Sequence, residues 1–382
     1  MKTWKRLLSG LLALTLLASL SCAALAAEPK TEKAPKPSTQ FTQWFPWLGA
    51  DPKDPKASEA VLAKMGTVIS QTKTAGGETL TLNGAVWNGD SVQLSLTAKS
   101  SNFPKELTEK SLVHDDACAA KMPEKQWKDY AKKRLETKLT EEDLAKEGLE
   151  TRLQNILKQG QVEFKPSFGI ASREGNTLTL RVSIQLEAVL EKTEMTLHIE
   201  NMTLVDTDKE TGMPLMNQKP AGTVLKGPFD FTFTLEKNKA VQATQYTGSA
   251  PVTYGKVPLR VTKVSLSPTG MGTSCGIDVQ GPINLVDGRN KPVSGKTNID
   301  LDKDLKLALN GLWTKDGKYV DCKGSMGFTG VLTPADETGL TLNWNRKFPY
   351  PIDPAQVTAV DIAGTRVELS KLTPVTEQAA KK

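Results

Sequence analysis

Histidine is almost missing from this 382-residue sequence, which contains only His114 and His198. Two histidines leave little room for a histidine-rich metal centre or for a catalytic triad. Long apolar runs are also missing, because beyond the N-terminus no stretch approaches the ~18 residues of a transmembrane helix. With 24% charged residues, this excludes a polytopic membrane protein. Strands and helices do not alternate as βαβ units, so a Rossmann-like or TIM-barrel enzyme is not expected.

The sequence also lacks a cluster of basic residues. The formal net charge is +6, and Lys2, Lys5 and Arg6 supply half of it. Since residues 1–26 contain no acidic residue, the rest of the chain carries +3. Nucleic-acid binding requires basic residues gathered in one run or on one face. We therefore predict no nucleic-acid partner.

The first 26 residues have the pattern of a secretory signal peptide. A positively charged start precedes an apolar run over residues 7–20, and Ala24-Leu25-Ala26 is the small-x-small pattern of a cleavage site. We predict cleavage after this site and a remaining chain without a transmembrane helix, which is secreted or associated with the cell surface. Cys22 is a possible lipidation site, although Ser19 stands where a lipoprotein signal has leucine.

Residues 27–60 are predicted to form a Pro-rich extended linker, because six prolines interrupt lysines and small residues. Within it, the segment 41–48 is too aromatic for a free linker. Two interpretations stay open. The segment docks into a groove of its own domain, or it binds a partner through an interaction patch. The candidate patch residues are Phe41, Trp44, Phe45 and Trp47.

Two strand-rich blocks follow the linker. Residues 178–184 alternate between apolar and polar side chains, and Asn88-Gly89 is a hairpin signal because both residues tolerate positive φ. Short strands at regular spacing are typical of β-sandwiches. We predict a mainly β fold with two immunoglobulin-like β-sandwich domains over residues 61–239 and 240–372. Residues 373–382 are expected to form a flexible tail.

Residues 105–160 interrupt the strand pattern of the first domain. They balance basic and acidic residues, contain few β-branched side chains, and place leucines such as Leu149 and Leu153 at helical spacing. We predict two or three amphipathic helices inserted between strands. Their balanced charges are typical of solvated helix faces.

One motif resembles a hydrolase nucleophile elbow, since Gly272-Thr273-Ser274-Cys275-Gly276 matches G-x-S-x-G. Such a serine requires a histidine later in the chain as its base, but both histidines precede Ser274. The acidic loops starting at Asp206 and Asp300 lack the glycine that a calcium loop has at position six. We therefore predict no catalytic residue, no cofactor and no metal site.

Three cysteines remain beyond the signal peptide, and they fit no metal-binding pattern. Cys275 and Cys322 lie in the same strand-rich block, so a disulfide between them is possible, with Cys118 unpaired. The alternative is that all three are free, buried thiols.

Several strand and turn segments resemble a bacterial extracytoplasmic domain of unknown function. The segments are TLTLNG (79–84), NGDSVQL (88–94), GPFDFTF (227–233), LSPTG (266–270) and PIDP (351–354). That domain occurs in anti-sigma-factor-like membrane proteins and in exported relatives. The resemblance covers most of residues 61–372 and implies an immunoglobulin-like second half. It brings no residues whose function can be carried over.

In this sequence a signal peptide stands where the anti-sigma versions have a cytoplasmic region and a membrane helix, so direct control of a sigma factor is not expected. The sequence predicts an exported, non-enzymatic protein that binds or senses an unknown cell-surface or extracellular partner. The alternative is a structural or cell-wall-associated protein without a small ligand. A secreted hydrolase with an unrecognised carboxylate site is the third interpretation.

Overall fold

Antiparallel β-strands dominate the computed structural model of this chain and confirm the predicted mainly β fold of the β-sandwich class. The described residues belong to one compact unit, Pro37–Lys382. The predicted signal peptide and Cys22 lie outside them. The structure describes residues 40–88, 91–105, 107–138, 148–158, 163–186, 188, 190–205, 222–236, 243–254, 257–277, 283–286, 291–295, 297–300, 309–322, 326–332 and 340–375.

The first sheet has five antiparallel strands. They are β1 (Gly66–Ala75), β2 (Glu78–Trp87), β3 (Ser91–Lys99), β7 (Ser167–Glu174) and β8 (Thr177–Gln185), in the order β1-β2-β3-β8-β7. Strands β2 and β3 pair around Asn88, as the hairpin signal predicts. The period of two is visible in β8, where Leu178, Leu180, Val182 and Ile184 are buried.

The second sheet packs against the first. Its strands are β4 (Leu112–His114), β5 (Ala119–Lys121), β6 (Glu163–Phe164), β9 (Lys192–Val205) and β10 (Gly222–Glu236), with the path β10-β9-β5-β6 and β4 paired to β9. Leu94 and Leu180 from the first sheet meet Leu197 and Phe231 from the second in one hydrophobic core. Fully burying each such side chain stabilises the fold by about 1.5–3 kcal/mol.

The stretch predicted as a helical insert contains both helices and strands. Helices α3 (Glu124–Lys138) and α4 (Leu149–Lys158) share a small core that includes Trp127, Tyr130 and Leu153. Strands β4 and β5 precede these helices and pair with β9. Two strands were not expected here. Each contributes buried side chains to the second sheet, Val113 from β4 and Ala119 and Ala120 from β5.

Two further sheets enclose a second core. The six-stranded sheet, in the order β18-β19-β13-β12-β11-β22, contains β11 (Thr244–Tyr254), β12 (Val257–Ser267), β13 (Gly270–Ile277), β18 (Met326–Leu332), β19 (Leu340–Lys347) and β22 (Thr373–Val375). The four-stranded sheet, in the order β17-β16-β20-β21, contains β16 (Leu309–Thr314), β17 (Tyr319–Asp321), β20 (Val357–Ile362) and β21 (Thr365–Glu368). A parallel pair consists of β14 (Ile283–Val286) and β15 (Thr297–Asp300).

The second core joins both of these sheets. Val261 and Trp344 of the six-stranded sheet pack in one cluster with Leu312 and Val360 of the four-stranded sheet. Residues 373–375, within the predicted flexible tail, pair with β11.

Helices occupy much of the predicted linker. They are α1 (Gln40–Trp44), a 3-10 helix over Pro46–Leu48, and α2 (Pro55–Met65). The start of α2 has a local cause, because the side chain of Asp54 accepts a hydrogen bond from the Ala57 amide and Pro55 takes the first helical position. Among the described residues, no helix combines the length and apolar character needed to cross a membrane.

Candidate functional site

The four-stranded sheet presents aromatic and charged side chains to solvent. Along β16 and β17, Leu312 and Val320 are buried in the core, whereas Trp313 is half-buried and Tyr319 is 40% exposed. The register places Trp313 opposite Tyr319, and it places Asp361 of β20 opposite Arg366 of β21. We define the Trp313 face as the solvent-side group Trp313, Tyr319, Asp361, Arg366 and Glu368.

Three of these side chains form a stack. The ring centroids of Trp313 and Tyr319 are 4.9 Å apart at an interplanar angle of 53°. The guanidinium carbon of Arg366 lies 4.8 Å from the Trp313 ring centroid, within the range of a cation–π contact. Arg366 Nε also donates a hydrogen bond of 2.6 Å to Glu368 Oε1. The stack therefore holds the aromatic rings and the guanidinium in one arrangement.

Tyr319 lies across Gly311, which has no side chain to obstruct it. A Cβ atom at Gly311 would be 2.6 Å from the Tyr319 hydroxyl oxygen and 2.4 Å from the Val320 carbonyl oxygen. The Tyr319 hydroxyl donates to Asp361 Oδ2 at 3.1 Å. Asp361 Oδ1 accepts from the Gly364 amide at 2.9 Å and from the side chain of Asn310. Asp361 is thus positioned by three donors.

The Trp313 face contains two carboxylates, those of Asp361 and Glu368. Asp321 alternates with buried Val320 and so points to the same side as Tyr319, which adds a third carboxylate to Asp361 and Glu368. Arg366 is the one cation within the Trp313 face. Burial and the nearby Asp361 raise the pKa of Tyr319, so its hydroxyl stays neutral and available as a donor. The arrangement can bind a group that offers both a C–H surface and hydrogen-bond donors.

The aromatic segment, for which a docking segment and an interaction patch both stayed open, is largely turned inward. Phe45 is fully buried and Phe41 nearly so, in a cluster with Leu62, Met65 and Val86. Trp44 and Trp47 pack against the same cluster and are half-buried. The patch prediction is corrected for the two phenylalanines, because their rings fill the space between α2 and the first sheet. The segment docks onto its own domain.

The same N-terminal region also contacts the second half of the chain. Lys318 forms an ion pair with Asp51, and Lys64 Nζ lies 2.7 Å from Asp353 Oδ2. Although burial opposes ionisation of Asp51, hydrogen bonds from Lys318 and the Lys53 amide hold its pKa below the ordinary value. We call residues 40–65 the N-terminal brace, since they contact both halves of the chain.

The possible disulfide between Cys275 and Cys322 is not formed, and both are free, buried thiols, as in the alternative interpretation. Each sulfur contacts its own segment instead, since Cys275 lies 3.8 Å from the Thr273 hydroxyl and Cys322 lies 3.7 Å from the Val320 carbonyl oxygen. Cys118 is free and buried too. Burial raises the pKa of all three thiols to about 12, so they are poor nucleophiles.

The motif around Ser274 lies in β13, in mid-sheet rather than at a strand-to-helix turn. The Ser274 hydroxyl donates to the side chain of Asn343 on the neighbouring strand β19.

The acidic loop at Asp206 lies outside the described residues, as does most of the loop that begins at Asp300. Among the residues that the structure describes, no three acidic, histidine or cysteine side chains could hold a metal ion.

His198 forms a polar cluster that sequence patterns did not indicate. On the solvent side of β9, its Nδ1 lies 2.8 Å from Asp230 Oδ1 and its Nε2 lies 3.1 Å from Glu200 Oε2. The hydrogen bond with Asp230 raises the pKa of His198, despite partial burial, and Glu200 adds to this effect. The His198 ring thus lies between two carboxylates, and its protonated form can donate to both of them.

This cluster predicts a pH dependence of stability. Because the folded pKa of His198 lies above the unfolded value, its contribution is fully present below about pH 6.5, the ordinary histidine value. That contribution is lost as the pH rises through the raised pKa. Asp230→Asn should lower the pKa of His198 more than Glu200→Gln does. An NMR titration of the imidazole resonances measures both shifts, and an unchanged midpoint in Asp230→Asn contradicts the prediction.

Comparisons with known proteins find little similarity. No protein-family model matches the sequence, and no curated protein matches it. A solved structure described as the conserved domain protein from Bacillus anthracis has a TM-score of 0.34 at 10% sequence identity. The match covers 84% of this chain and 91% of that chain. A similarity of this size assigns neither ligand nor activity to this chain.

Proposed function

We propose that this chain is an exported, non-enzymatic protein that binds or senses a partner at the cell surface, and that the Trp313 face makes the contact. The N-terminal pattern of a charged start, an apolar run and Ala24-Leu25-Ala26 supports export. The resemblance of its strand segments to the extracytoplasmic domain of anti-sigma-factor-like proteins and exported relatives supports the same location. Lipid attachment at Cys22 is a second means by which the surface can retain it.

The Trp313 face is the observation that carries this proposal. The solvent side of an antiparallel sheet is usually polar, but this one exposes a Tyr–Trp–Arg stack. Trp, Tyr and Arg are the residues that most often dominate binding energy in protein interfaces. The stack is held in place by Glu368 and Asp361 before any partner arrives, and such preorganisation lowers the entropic cost of binding.

Tyr319→Ala is expected to reduce retention of the protein at the cell surface about tenfold, since loss of one central aromatic contact costs on the order of 1.4 kcal/mol or more. The full-length chain is expressed with Cys22→Ser, so that lipid attachment cannot retain it. The share of protein on washed cells is then compared with the share in the medium.

Val68→Ala is the matched control, because Val68 is 53% exposed on the first sheet, away from the Trp313 face. It should leave retention unchanged. A Trp44→Ala, Trp47→Ala double variant tests the aromatic segment as an alternative contact. Equal retention of Tyr319→Ala and the parent chain, with both folded by circular dichroism, would count against the proposal.

A structural or cell-wall-associated role is the second candidate function. The N-terminal brace favours it, because ion pairs from Asp51 and Lys64 tie the N-terminal region to the second half of the chain. A structural protein would be retained on the wall without saturation and without dependence on Tyr319.

A further inference from the structure

Resting on the proposed function, we propose that the Trp313 face binds a neutral glycan, which is a chain of uncharged sugar rings. Three properties of the face select this ligand. An aromatic ring lies flat on the sheet, the charged groups are already engaged within the protein, and hydrogen-bonding groups lie beside the ring.

The ring of Tyr319 forms a flat surface on the sheet. A Cβ atom at Gly311 would lie 2.7 Å from Tyr319 Cζ and 2.6 Å from the Tyr319 hydroxyl oxygen, so this end of the ring crosses the backbone of a residue without a side chain. The hydroxyl is fixed by its hydrogen bond to Asp361, and 40% of the tyrosine is exposed. One side of the ring thus lies against the sheet, and the other side is open to a ligand.

A flat aromatic surface favours a partner with a flat array of C–H groups. Aromatic rings carry negative potential on their faces, so they attract the weakly positive C–H groups that line one side of a sugar ring. Trp313 lies beside Tyr319 with ring centroids 4.9 Å apart, but Arg366 covers part of Trp313. Tyr319 is therefore the main stacking surface.

The charged groups of the face are already engaged, so they do not select a charged ligand. Glu368 pairs with Arg366 at 2.6 Å, and Asp361 accepts three hydrogen bonds from neighbouring groups. Asp321 has a partner as well. A charged ligand would lose its hydration on binding without gaining an unpaired counter-charge. An uncharged ligand avoids this cost.

Arg366 and Glu368 supply hydrogen-bonding groups beside the rings. Arg366 donates from Nε to Glu368 Oε1, and none of the described residues accepts a hydrogen bond from its two Nη atoms or donates one to Glu368 Oε2. Sugar hydroxyls both donate and accept, so one ring can accept from Arg366 and donate to Glu368. A proline-rich peptide could also lie on the Tyr319 ring, but its prolines have no N–H to donate.

The test is calorimetric titration of the full-length Cys22→Ser protein with hexamers of glucose and of N-acetylglucosamine, both of which are uncharged. At least one of them is expected to bind, and its affinity should change less than about twofold between low and high salt, because no ion pair forms. The glucosamine hexamer, which is cationic at mildly acidic pH, should bind no more tightly than the neutral hexamer. A proline-rich peptide should bind at least about tenfold more weakly.

Variants of Tyr319 locate the site. Tyr319→Ala should weaken binding of the neutral hexamer about tenfold, since it removes the stacking surface. Tyr319→Phe keeps the ring and loses only the hydrogen bond to Asp361, so its affinity should stay within about threefold of the parent value. Val68→Ala should leave the affinity unchanged. Circular dichroism checks that each variant is folded.

Binding of neither neutral hexamer overturns the glycan assignment, and so does equal or tighter binding of the proline-rich peptide. Tighter binding of the glucosamine hexamer would show that charge selects the ligand, which also overturns it. Equal affinity of Tyr319→Ala and the parent chain would place the site elsewhere. If the assignment fails in any of these ways while cell-surface retention still depends on Tyr319, the ligand class is wrong and the proposed function stands. If retention is independent of Tyr319, the proposed function itself fails.

Discussion

Phe45→Ala is expected to lower the free energy of unfolding by roughly 3–5 kcal/mol, which is typical for truncating a buried phenylalanine. The Phe45 side chain is fully buried, and its ring centroid lies 5.2 Å from that of Trp47 and 6.3 Å from that of Phe41. The substitution removes this contact area and leaves a cavity among Leu62, Met65 and Val86. Chemical denaturation followed by circular dichroism measures the change.

Val68→Ala is again the control, since a substitution at an exposed site should change stability by no more than about 0.5 kcal/mol. The experiment also separates the two interpretations of the aromatic segment. If Phe45 belonged to a partner-binding patch, its loss would weaken binding and leave the isolated protein as stable as before. An unchanged denaturation midpoint would therefore contradict the packing described here.

Gly49→Ala is expected to destabilise the protein by roughly 2–5 kcal/mol, from left-handed backbone strain together with overpacking. Gly49 has φ of 73°, and a Cβ atom there would lie 2.2 Å from the carbonyl oxygen of Pro349. The brace would have to move away from the second half of the chain to relieve this overlap. Thermal or denaturant unfolding provides the measurement.

Gly77→Ala isolates the steric part of this effect. Gly77 also has positive φ, at 84°, but a Cβ atom there would meet nothing within 4 Å. Its replacement should therefore cost only the backbone strain, about 1–2 kcal/mol. Equal losses for the two variants would contradict the expected overlap between the added Cβ at Gly49 and the Pro349 carbonyl oxygen.

The strands were predictable because their signals are local. Apolar and polar side chains alternate over residues 178–184, and this alternation indicates which side chains of β8 face the core and which face solvent. Asn88-Gly89 marks the turn between β2 and β3. Helix α2 was missed, although Asp54-Pro55 is a helix start and Val61, Leu62 and Met65 follow at helical spacing. The prolines around it favoured a linker, but Pro55 stands in the first turn of the helix, where its missing amide removes no intrahelical hydrogen bond.

Side-chain partners were less predictable than strands. Cys275 and Cys322 lie in the same core, as their shared block suggests, yet each sulfur contacts its own segment. The sequence around Phe45 favoured a segment that docks onto its own domain, with a partner-binding patch as the alternative. The phenylalanines of this segment are buried against Leu62 and Val86. These residues are distant in the sequence, so no short-range sequence pattern indicates that they pack together.

By itself, the sequence determined that the chain is mainly β and where many strands run, because alternation depends only on neighbours along one strand. It also includes a signal for the hairpin between β16 and β17, since Asp316-Gly317, a dipeptide typical of hairpin turns, lies between Trp313 and Tyr319. Only the tertiary structure decided that Asp361 and Arg366 join these rings, because that requires β16 to pair with β20. Hydrogen bonds between distant segments set the order of strands in a sheet, and that order brings the stack and its carboxylates together.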